Sequence, residues 1–436
     1  MSGQLCFEVL DKMFIPKNKQ SIEEIKGYTI KYGNIVDNGE VIDEVLVSYF
    51  KAPKSYTMEN MCEINSHGGN IIVKKILELC LKNGAELAEP GEFTKRAFLN
   101  GRIDLVQAES VIDIINAKSE KEVKTGIKQL EGLLSKEIAE IKQEIMDVMI
   151  NIEVSIDYPE YDVEDVANAE ITDMLDSVKK KLERLERSFD NGKVIKEGIK
   201  TAIIGKPNAG KSSLLNAILK EDRAIVTEYE GTTRDTIEEF VNINGIPLKL
   251  IDTAGIRETK DEVEKIGIAK SRETANAADL IIAIFDASKK IDEEDLEVID
   301  FIKNKKAIII LNKMDLKAKI DENNENLKKL SGNIIKMSAL KNIGIDKLYE
   351  KITEMFNLNE INLDNENVIT NVRQKNLITK AIENVKKAKK TIEQKMPIDI
   401  VAIFIKDILE DLGKITGEVV TEDIIEEIFA NFCLGK

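Results

Sequence analysis

One segment, GKPNAGKSSLLN from Gly205 to Asn216, constrains the fold of this chain more than any other part of its sequence. The fixed positions of the pattern GxxxxGK[ST] are occupied by Gly205, Gly210, Lys211 and Ser212. The apolar run TAIIG leads into the segment and the amphipathic run SSLLNAIL continues it, which predicts a strand, a loop and a helix. In such a loop the backbone N–H groups surround phosphates, the lysine reaches the outer phosphates and the serine hydroxyl binds magnesium. The sequence therefore predicts a P-loop nucleotide site.

Strand-like and helix-like runs alternate around this loop, from about residue 198 to residue 356. The strand-like runs besides TAIIG are LKLID, LIIAIF, AIIILN and NIIKMS. Apolar runs that alternate with amphipathic helices are typical of a parallel sheet covered by helices. We therefore expect an α/β domain at 198–356, with the loop at the end of a central strand.

The motif NKMD, which follows the run AIIIL, indicates which base the nucleotide carries. Asp315 can accept hydrogen bonds from N1–H and the exocyclic amine of guanine, whereas adenine offers neither donor. Asn312 and Lys313 complete the motif. The run SAL supplies Ser338 and Ala339, whose backbone is expected to contact the guanine oxygen. The sequence therefore favours GTP over ATP.

Two further motifs complete the set that a GTPase needs and predict magnesium ligands. Within DTAG, Asp252 is expected to hold magnesium through water, and Gly255 to donate its N–H to the γ-phosphate. Within GTTRD, which begins at Gly231, Thr233 is the better candidate for a magnesium ligand. We therefore predict an inserted P-loop GTPase domain with a Ras-like fold. The other predicted nucleotide contacts are Asn208, Ala209, Gly210, Lys211, Ser212, Ser213 and Thr227.

The residue after DTAG departs from Ras-like switches and bears on the mechanism. Ile256 stands where those switches have a glutamine that positions the attacking water, and an isoleucine side chain forms no hydrogen bond. Another group must therefore position the water. By chemistry alone the candidates are the charged residues that follow, Arg257, Glu258, Asp261, Glu262 and Glu264.

Composition limits the class of protein and its setting. A chain of 436 residues exceeds one compact core, so two or three domains are expected. No apolar run is long enough for a membrane span and the first residues lack an export pattern, so a cytoplasmic protein without a membrane partner is predicted. The four cysteines are widely spaced and fit neither a zinc knuckle nor a disulfide framework. The formal charge of −16 means that any nucleic-acid contact requires a local basic patch.

The two ends of the chain predict two further domains. Residues 1–100 combine the strand-like runs YTIKYGNI and VIDEVLVSYF with the helical run NIIVKKILELCLKNGAEL, which predicts a small N-terminal α/β domain. Residues 101–197 and 357–436 show helical periodicity, so we expect one helical domain split by the GTPase insertion. Apolar residues at steps of three and four from Val123 to Ile152 predict one long helix that ends at Pro159.

One run in the flanking domains, PGEFTKRAFLNG from Pro90, is much more specific than the GTPase motifs. The other runs that carry a resemblance are EINSHGG from Glu63, the continuation RIDLVQAES up to Ser110, the terminal FCLGK and, within the GTPase domain, DEVEKIGI. With these runs the chain resembles the tRNA-modification GTPase family MnmE, also called TrmE, over nearly its whole length. The resemblance implies a homodimer that hydrolyses GTP and, with a flavin-bearing partner subunit (MnmG/GidA-like), modifies C5 of the wobble uridine of certain tRNAs. It also implies that a tetrahydrofolate derivative carries a one-carbon unit.

The same resemblance implies roles for residues of the GTPase domain. It implies a potassium ion near Asn208, and it assigns the orientation of the attacking water to Glu264. Lys211 is expected to stabilise the charge of the transition state. Further potassium ligands are implied at Thr227, Tyr229 and Thr232.

Outside the GTPase domain the resemblance implies a folate site and a reactive terminus. The implied folate contacts are Glu63, Arg102 and Lys436, and Cys433 is implicated in the modification itself. Members of the family begin with an apolar strand and a glycine-rich turn before the segment that is similar to MSGQL. We therefore expect a shortened N-terminal domain, for which the sequence leaves folate binding and dimerisation open.

Structural interpretations compete with these roles. The single histidine, His67, is expected to be a turn residue rather than a catalyst. Glu63 can equally cap the helix that follows it, and Cys433 can be a buried small hydrophobe. The cluster KKAKK from Lys386 is interpreted as a solvated helix face rather than a tRNA patch.

The alternative function is that of an Era-type ribosome-assembly GTPase. Such a protein needs an RNA module, often a KH domain with a GxxG loop. After residue 357 the glycines are Gly413, Gly417 and Gly435, so that loop is missing from the sequence. A membrane-remodelling GTPase would need a lipid-facing helix, which the sequence does not indicate.

Overall fold

The computed structural model describes residues 1–18, 27–157, 164–220, 224–225, 239–251, 275–320, 333–358 and 367–435. The chain forms two compact units, each made of separate stretches of sequence. Unit 1 comprises Met1–Ile112, Gln129–Leu175 and Glu383–Lys436, and unit 2 comprises Asp113–Lys128 and Asp176–Ile382. No helix among the described residues is both long enough and apolar enough to cross a membrane.

Unit 1 begins with an antiparallel sheet whose strands follow one another in the order β1-β2-β3-β4. Alternate residues of the long strands are buried, as expected for a sheet with one face on a core. Two helices contribute Leu10 and Leu79 to that core, beside Val47 and Tyr49 of the sheet. The α/β character predicted for the N-terminal domain is therefore confirmed. The elements are α1 (Cys6–Asp11), β1 (Phe14–Pro16), β2 (Thr29–Asp37), β3 (Glu40–Phe50), β4 (Met61–Asn65) and α2 (Asn70–Lys82).

Helices follow the sheet along the chain, and at one place among them the sequence prediction is wrong. The apolar seam from Val123 to Ile152 lies on two helices rather than one. The break falls at Gly132, whose φ of +82° is left-handed, and Gln107 donates a side-chain hydrogen bond to the carbonyl of Leu130 there (2.8 Å). Pro159, the predicted end of the seam, lies outside the described residues. The helices are α3 (Glu92–Leu99), α4 (Leu105–Asn116), α5 (Glu120–Leu130), α6 (Leu133–Asp157) and α7 (Glu164–Glu197).

The two sequence halves of the predicted helical domain meet inside unit 1. Helix α6 from the first half packs against the helix Ile398–Thr416 from the second half. Both helices bury isoleucine side chains. Lys142 of α6 forms an ion pair with Glu418, which follows that second helix. The split helical domain is therefore confirmed. The helices of the second half are α11 (Val372–Glu393), α12 (Ile398–Thr416) and α13 (Glu422–Ala430).

Unit 2 is built on a sheet whose described strands lie in the order β11-β10-β9-β5-β8-β7-β6. The strands from β11 to β8 are parallel, and β7 and β6 are antiparallel additions. In a parallel sheet the ligand site lies at the carboxyl ends of the strands, where the predicted motifs are found. The strands are β5 (Ile199–Gly205), β6 (Ala224–Ile225), β7 (Glu239–Ile243), β8 (Ile246–Ile251), β9 (Leu280–Asp286), β10 (Ala307–Asn312) and β11 (Ile334–Lys336). The helices are α8 (Lys211–Lys220), α9 (Glu293–Ile302) and α10 (Ile345–Met355).

Helical segments from outside the predicted GTPase domain also belong to unit 2. Lys196 of α7 forms a 2.7 Å ion pair with Asp113 of α4. Thr379 of α11 donates a 2.6 Å hydrogen bond to Glu186 of α7. The compact units therefore do not coincide with the predicted domain boundaries, 1–100, 101–197 with 357–436, and 198–356, which stay a prediction.

Candidate nucleotide site and carboxy-terminal surface

The predicted strand, loop and helix are present around the P-loop. Strand β5 ends at Gly205, where a Cβ atom would lie 2.4 Å from the carbonyl oxygen of Ile284. The loop then turns through two left-handed residues, Asn208 (φ +62°) and Gly210 (φ +106°). Helix α8 begins at Lys211. The close strand contact and the positive φ values explain why glycine is needed at both fixed positions.

Lys211 closes the loop on itself. Its ammonium donates hydrogen bonds to the carbonyls of Gly205 (2.6 Å) and Lys206 (2.9 Å). Burial lowers the pKa of Lys211, because the charged form loses hydration. Since an ammonium has three donors, one remains for an oxygen of a phosphate. A half-buried ammonium held against the loop is suited to stabilise phosphate charge.

Asn312 joins the base-recognition motif to the phosphate loop. Its side-chain amide donates to the carbonyl of Ala209 (2.9 Å), and its side-chain oxygen accepts from the backbone N–H of Ala339 (3.0 Å). Asn312 is 3% exposed, so both partners would be left unsatisfied in a dry environment without it. A Cβ atom at Gly210 would lie 2.1 Å from the same amide nitrogen. The motifs that the sequence assigned to phosphate and to base therefore form one connected site.

The side chains of Asp315 and Lys313 in NKMD are also held in place. The hydroxyl of Ser338 donates to Asp315 (2.6 Å), and this bond lowers the pKa of the exposed Asp315 carboxyl. The second oxygen of an ionised carboxylate can then accept from guanine. Lys313, with φ +66°, forms a 2.8 Å ion pair with Asp286 at the end of β9.

Sequence reasoning missed Asp286. Burial raises the pKa of its carboxyl, but hydrogen bonds from Lys313 and Ser288 outweigh that effect and the pKa is lowered. The aspartate therefore fixes the lysine of the base-recognition motif as an ionised partner. An acidic residue at the end of the strand-like run LIIAIF was a signal that could have revealed it.

The two serines after Lys211 lie in the first turn of α8, Ser212 half-buried and Ser213 exposed. Several predicted site residues lie outside the described residues, so their roles stay predictions. They are Thr227, Tyr229, Thr232, Thr233, Asp252, Gly255, Ile256, Arg257, Glu258, Asp261, Glu262, Glu264 and Lys436.

The terminal run FCLGK lies against the run PGEFTKRAFLNG within unit 1. The backbone N–H of Gly91 donates to the carbonyl of Cys433 (3.2 Å), and Pro90 forms a bridge with Leu434. Gly91 has φ +70°, and a Cβ atom there would lie 2.8 Å from Cβ of Phe432. Phe432 is buried in an apolar cluster with α3 and α13, whereas Cys433 is exposed. The buried interpretation of Cys433 is therefore wrong.

The two predicted folate residues that the structure describes, Arg102 and Glu63, lie on the surface of the same unit. The guanidinium of Arg102 stacks over the ring of Tyr56 (4.3 Å to its centroid), and the hydroxyl of Tyr56 is 3.0 Å from that of Thr94. Glu63 is exposed in β4, opposite Ser48 of β3.

Two alternative interpretations in the N-terminal domain are decided by the structure. Helix α2 begins after Gly69 without a side-chain cap, so the capping interpretation of Glu63 is wrong. His67 bonds Asp43 through both its ring (2.7 Å) and its backbone N–H (2.9 Å), which is consistent with the expected turn role.

Comparison with known proteins identifies the family. The family model described as GTP-binding protein TrmE N-terminus matches residues 1–102, and that of the MnmE helical domain matches residues 105–433. The "tRNA modification GTPase MnmE" of Clostridioides difficile is 51% identical, across 100% of this chain and 95% of that protein. The chain belongs to the MnmE family.

Other relatives agree with this assignment. The MnmE protein of Acetivibrio thermocellus is 48% identical, with 100% of this chain and 95% of that protein covered. A solved structure, the G domain of the T. maritima FeoB iron transporter, is 26% identical over 36% of this chain and 97% of that chain, with a TM-score of 0.27. That score is too low to support a conclusion. Membership of the MnmE family confirms the predicted resemblance and the GTPase class, and it does not favour the Era-type alternative.

Proposed function

We propose that this chain hydrolyses GTP and, with a flavin-dependent MnmG-like partner subunit, modifies C5 of the wobble uridine of certain tRNAs in the cytoplasm. The observation that carries the proposal is the surface formed by FCLGK and PGEFTKRAFLNG within unit 1, on which Cys433 is exposed. An assembly GTPase needs no such surface. The full-length similarity to proteins named tRNA modification GTPase supports the same function.

In the proposed GTPase step, Asp315 selects guanine and Lys211 neutralises charge on the outer phosphates. The chemistry of the donor set fits magnesium, because hydroxyl and carboxylate oxygens are its preferred ligands. The residues that would hold it are Ser212, Thr233 and Asp252. A positive charge from potassium would act where negative charge develops during phosphoryl transfer, and the exposed residue Asn208 could offer it an amide oxygen.

The remaining potassium ligands and the water-orienting group are proposed from the family. They are Thr227, Tyr229 and Thr232 for potassium, and Glu264 for the water. We propose that two GTPase domains meet in a homodimer, which closes GTTRD over the nucleotide and brings Glu264 to the attacking water. Ile256 takes no part, because its side chain offers no hydrogen bond.

The proposed modification step uses the surface of unit 1. A tetrahydrofolate derivative fits the chemistry of Arg102 on Tyr56, since a guanidinium binds carboxylates and an aromatic ring offers a stacking face. Glu63 and Lys436 are the other proposed contacts. The folate supplies the one-carbon unit when it is bound. The exposed thiol of Cys433 is proposed to take part in the modification.

Mass spectrometry of tRNA nucleosides from a strain that lacks this protein tests the proposal. We expect the modified wobble uridines to disappear and to return with the wild-type protein. Lys211→Ala, which removes the charge proposed to neutralise the outer phosphates, should not restore them. Unchanged wobble uridines together with a ribosome-assembly defect would support the Era-type alternative instead.

A further inference from the structure

A short segment at the carboxyl end of helix α11 carries a net positive charge. The segment from Lys386 to Lys395 contains five lysines and one glutamate, a net charge of +4, in a chain whose formal net charge is −16. The global field of such a chain repels phosphate, and only a local patch of this kind can attract it.

The structure shows how these lysines are displayed. Val385, Ala388 and Thr391 are buried, which fixes one side of the helix against the protein. Lys386, Lys387 and Lys390 lie on the opposite side and are exposed. These three residues are called the basic face below.

The basic face lacks the counter-charges found elsewhere on this chain. Helical lysines commonly pair with a glutamate four residues away, as Lys74 does with Glu78 and Lys414 with Glu410. Within the described parts of the chain, by contrast, Lys386 and Lys390 have no carboxylate at ion-pair distance, and Lys387 reaches only the amide oxygen of Asn384 (3.1 Å). Like charges one helical turn apart destabilise a helix, so a bound anion would relieve a real cost.

We infer that the basic face binds the sugar-phosphate backbone of tRNA, in place of the solvated helix face expected from the sequence; this inference rests on the proposed function. Clustered lysine ammonium groups are point charges that suit phosphates and carry no base specificity. The segment contains no aromatic residue, so stacking on bases is not part of the contact. The basic face therefore positions tRNA by charge. Recognition of the base is left to the surface formed by FCLGK and PGEFTKRAFLNG. Insertion into a lipid surface is not favoured, because Val385 and Ala388 face the protein core.

The test compares three variants of the full chain for binding of a fluorescently labelled tRNA by anisotropy. The triple variant Lys386→Glu, Lys387→Glu, Lys390→Glu removes the face. The triple variant Lys386→Arg, Lys387→Arg, Lys390→Arg keeps its charge. The matched control, Lys136→Glu, Lys303→Glu, Lys347→Glu, makes the same change of net charge at three exposed lysines dispersed over other elements.

We expect the charge reversal to weaken tRNA binding by about tenfold or more. It should also make the slope of log affinity against log salt shallower by about 2 to 3, as three phosphate contacts are lost. The arginine variant should bind like the wild type, the dispersed control should lose much less, and GTP hydrolysis should be unchanged in all three.

Three results would overturn the inference: equal affinity and slope after charge reversal, an equal loss in the dispersed control, or binding of the wild type to anionic phosphatidylserine vesicles but not to tRNA. None of these results depends on wobble modification in cells. Failure of the proposed function would instead appear as unchanged wobble uridines in the deletion strain.

Discussion

The side-chain amide of Asn312 donates a 2.9 Å hydrogen bond to the carbonyl of Ala209, so the base-recognition motif supports the phosphate loop directly. Asn312→Ala should raise the dissociation constant for GTP by about tenfold or more and cost about 1–3 kcal/mol of stability, because two buried partners lose their hydrogen bonds. Isothermal titration with a GTP analogue measures the first effect and thermal unfolding the second. Asn333→Ala is the control, since Asn333 makes a similar 3.1 Å bond to Ala307 away from the nucleotide. Equal GTP affinities in Asn312→Ala and the wild type would contradict this linkage.

Position 210 accepts only glycine, both because its backbone is left-handed and because the side chain of Asn312 lies close to it. Gly210→Ala should abolish GTP binding, since a Cβ atom would lie 2.1 Å from the amide of Asn312 and φ is +106°. Gly39→Ala, in a turn with φ +87° and no neighbour within 4 Å, carries the backbone strain without the clash. The control should lose some stability and keep GTP affinity. If both variants bind GTP normally, the loop is more adaptable than the geometry indicates.

Because Cys433 is exposed, its replacement should affect tRNA modification without affecting the stability of the fold. Cys433→Ser should leave the melting temperature and the GTPase rate near wild-type values while wobble modification fails. Phe432→Ala should lower the melting temperature, because Phe432 is 6% exposed in the apolar cluster beside Gly91. Differential scanning fluorimetry and nucleoside analysis check the two effects. A large loss of melting temperature in Cys433→Ser would contradict the assignment.

Glu122, at the start of α5, should make stability depend on pH. Burial, followed by the charge of Asp113, raises the pKa of this carboxyl to about 7. The folded state then binds more protons than the unfolded state between the ordinary pKa of a glutamate and about 7, so the free energy of unfolding falls as pH rises through that window. Glu122→Gln should flatten this fall and keep the hydrogen bond from the N–H of Lys118.

Urea unfolding at pH values on either side of that window measures the slope. The control is Glu120→Gln, an exposed neighbour on the same helix, which should retain the wild-type slope. Identical slopes for Glu122→Gln and the wild type would show that Glu122 stays ionised in the folded state.

The sequence predicted the features whose residues are contiguous in the chain. It did not predict the features that depend on tertiary contacts. The P-loop was predictable because strand, fixed glycines, Lys211 and helix follow one another in the chain. The hydrogen bond from Asn312 to Ala209 was not predictable, because it depends on how closely the loops after β5 and β10 approach each other when both strands pair with β9. The break between α5 and α6 at Gly132 was missed because the helical spacing of apolar residues continues across it. The glycine itself could have indicated the break. Cys433 lies beyond the end of α13 at Ala430, so helical periodicity no longer predicts its burial.

The most direct test of the account asks whether GTP bound at Asp315 drives tRNA modification. Asp315→Asn exchanges an acceptor for a donor, so it should reject guanine and accept xanthine, which has an oxygen in place of the amine. Modification of tRNA is measured with the flavin-dependent partner, supplied with either GTP or xanthosine triphosphate. The account predicts that the variant loses GTP-driven modification by about tenfold or more and recovers it with xanthosine triphosphate, while the wild type shows the reverse. Undiminished GTP-driven modification by the variant, or hydrolysis of xanthosine triphosphate without modification, would contradict it.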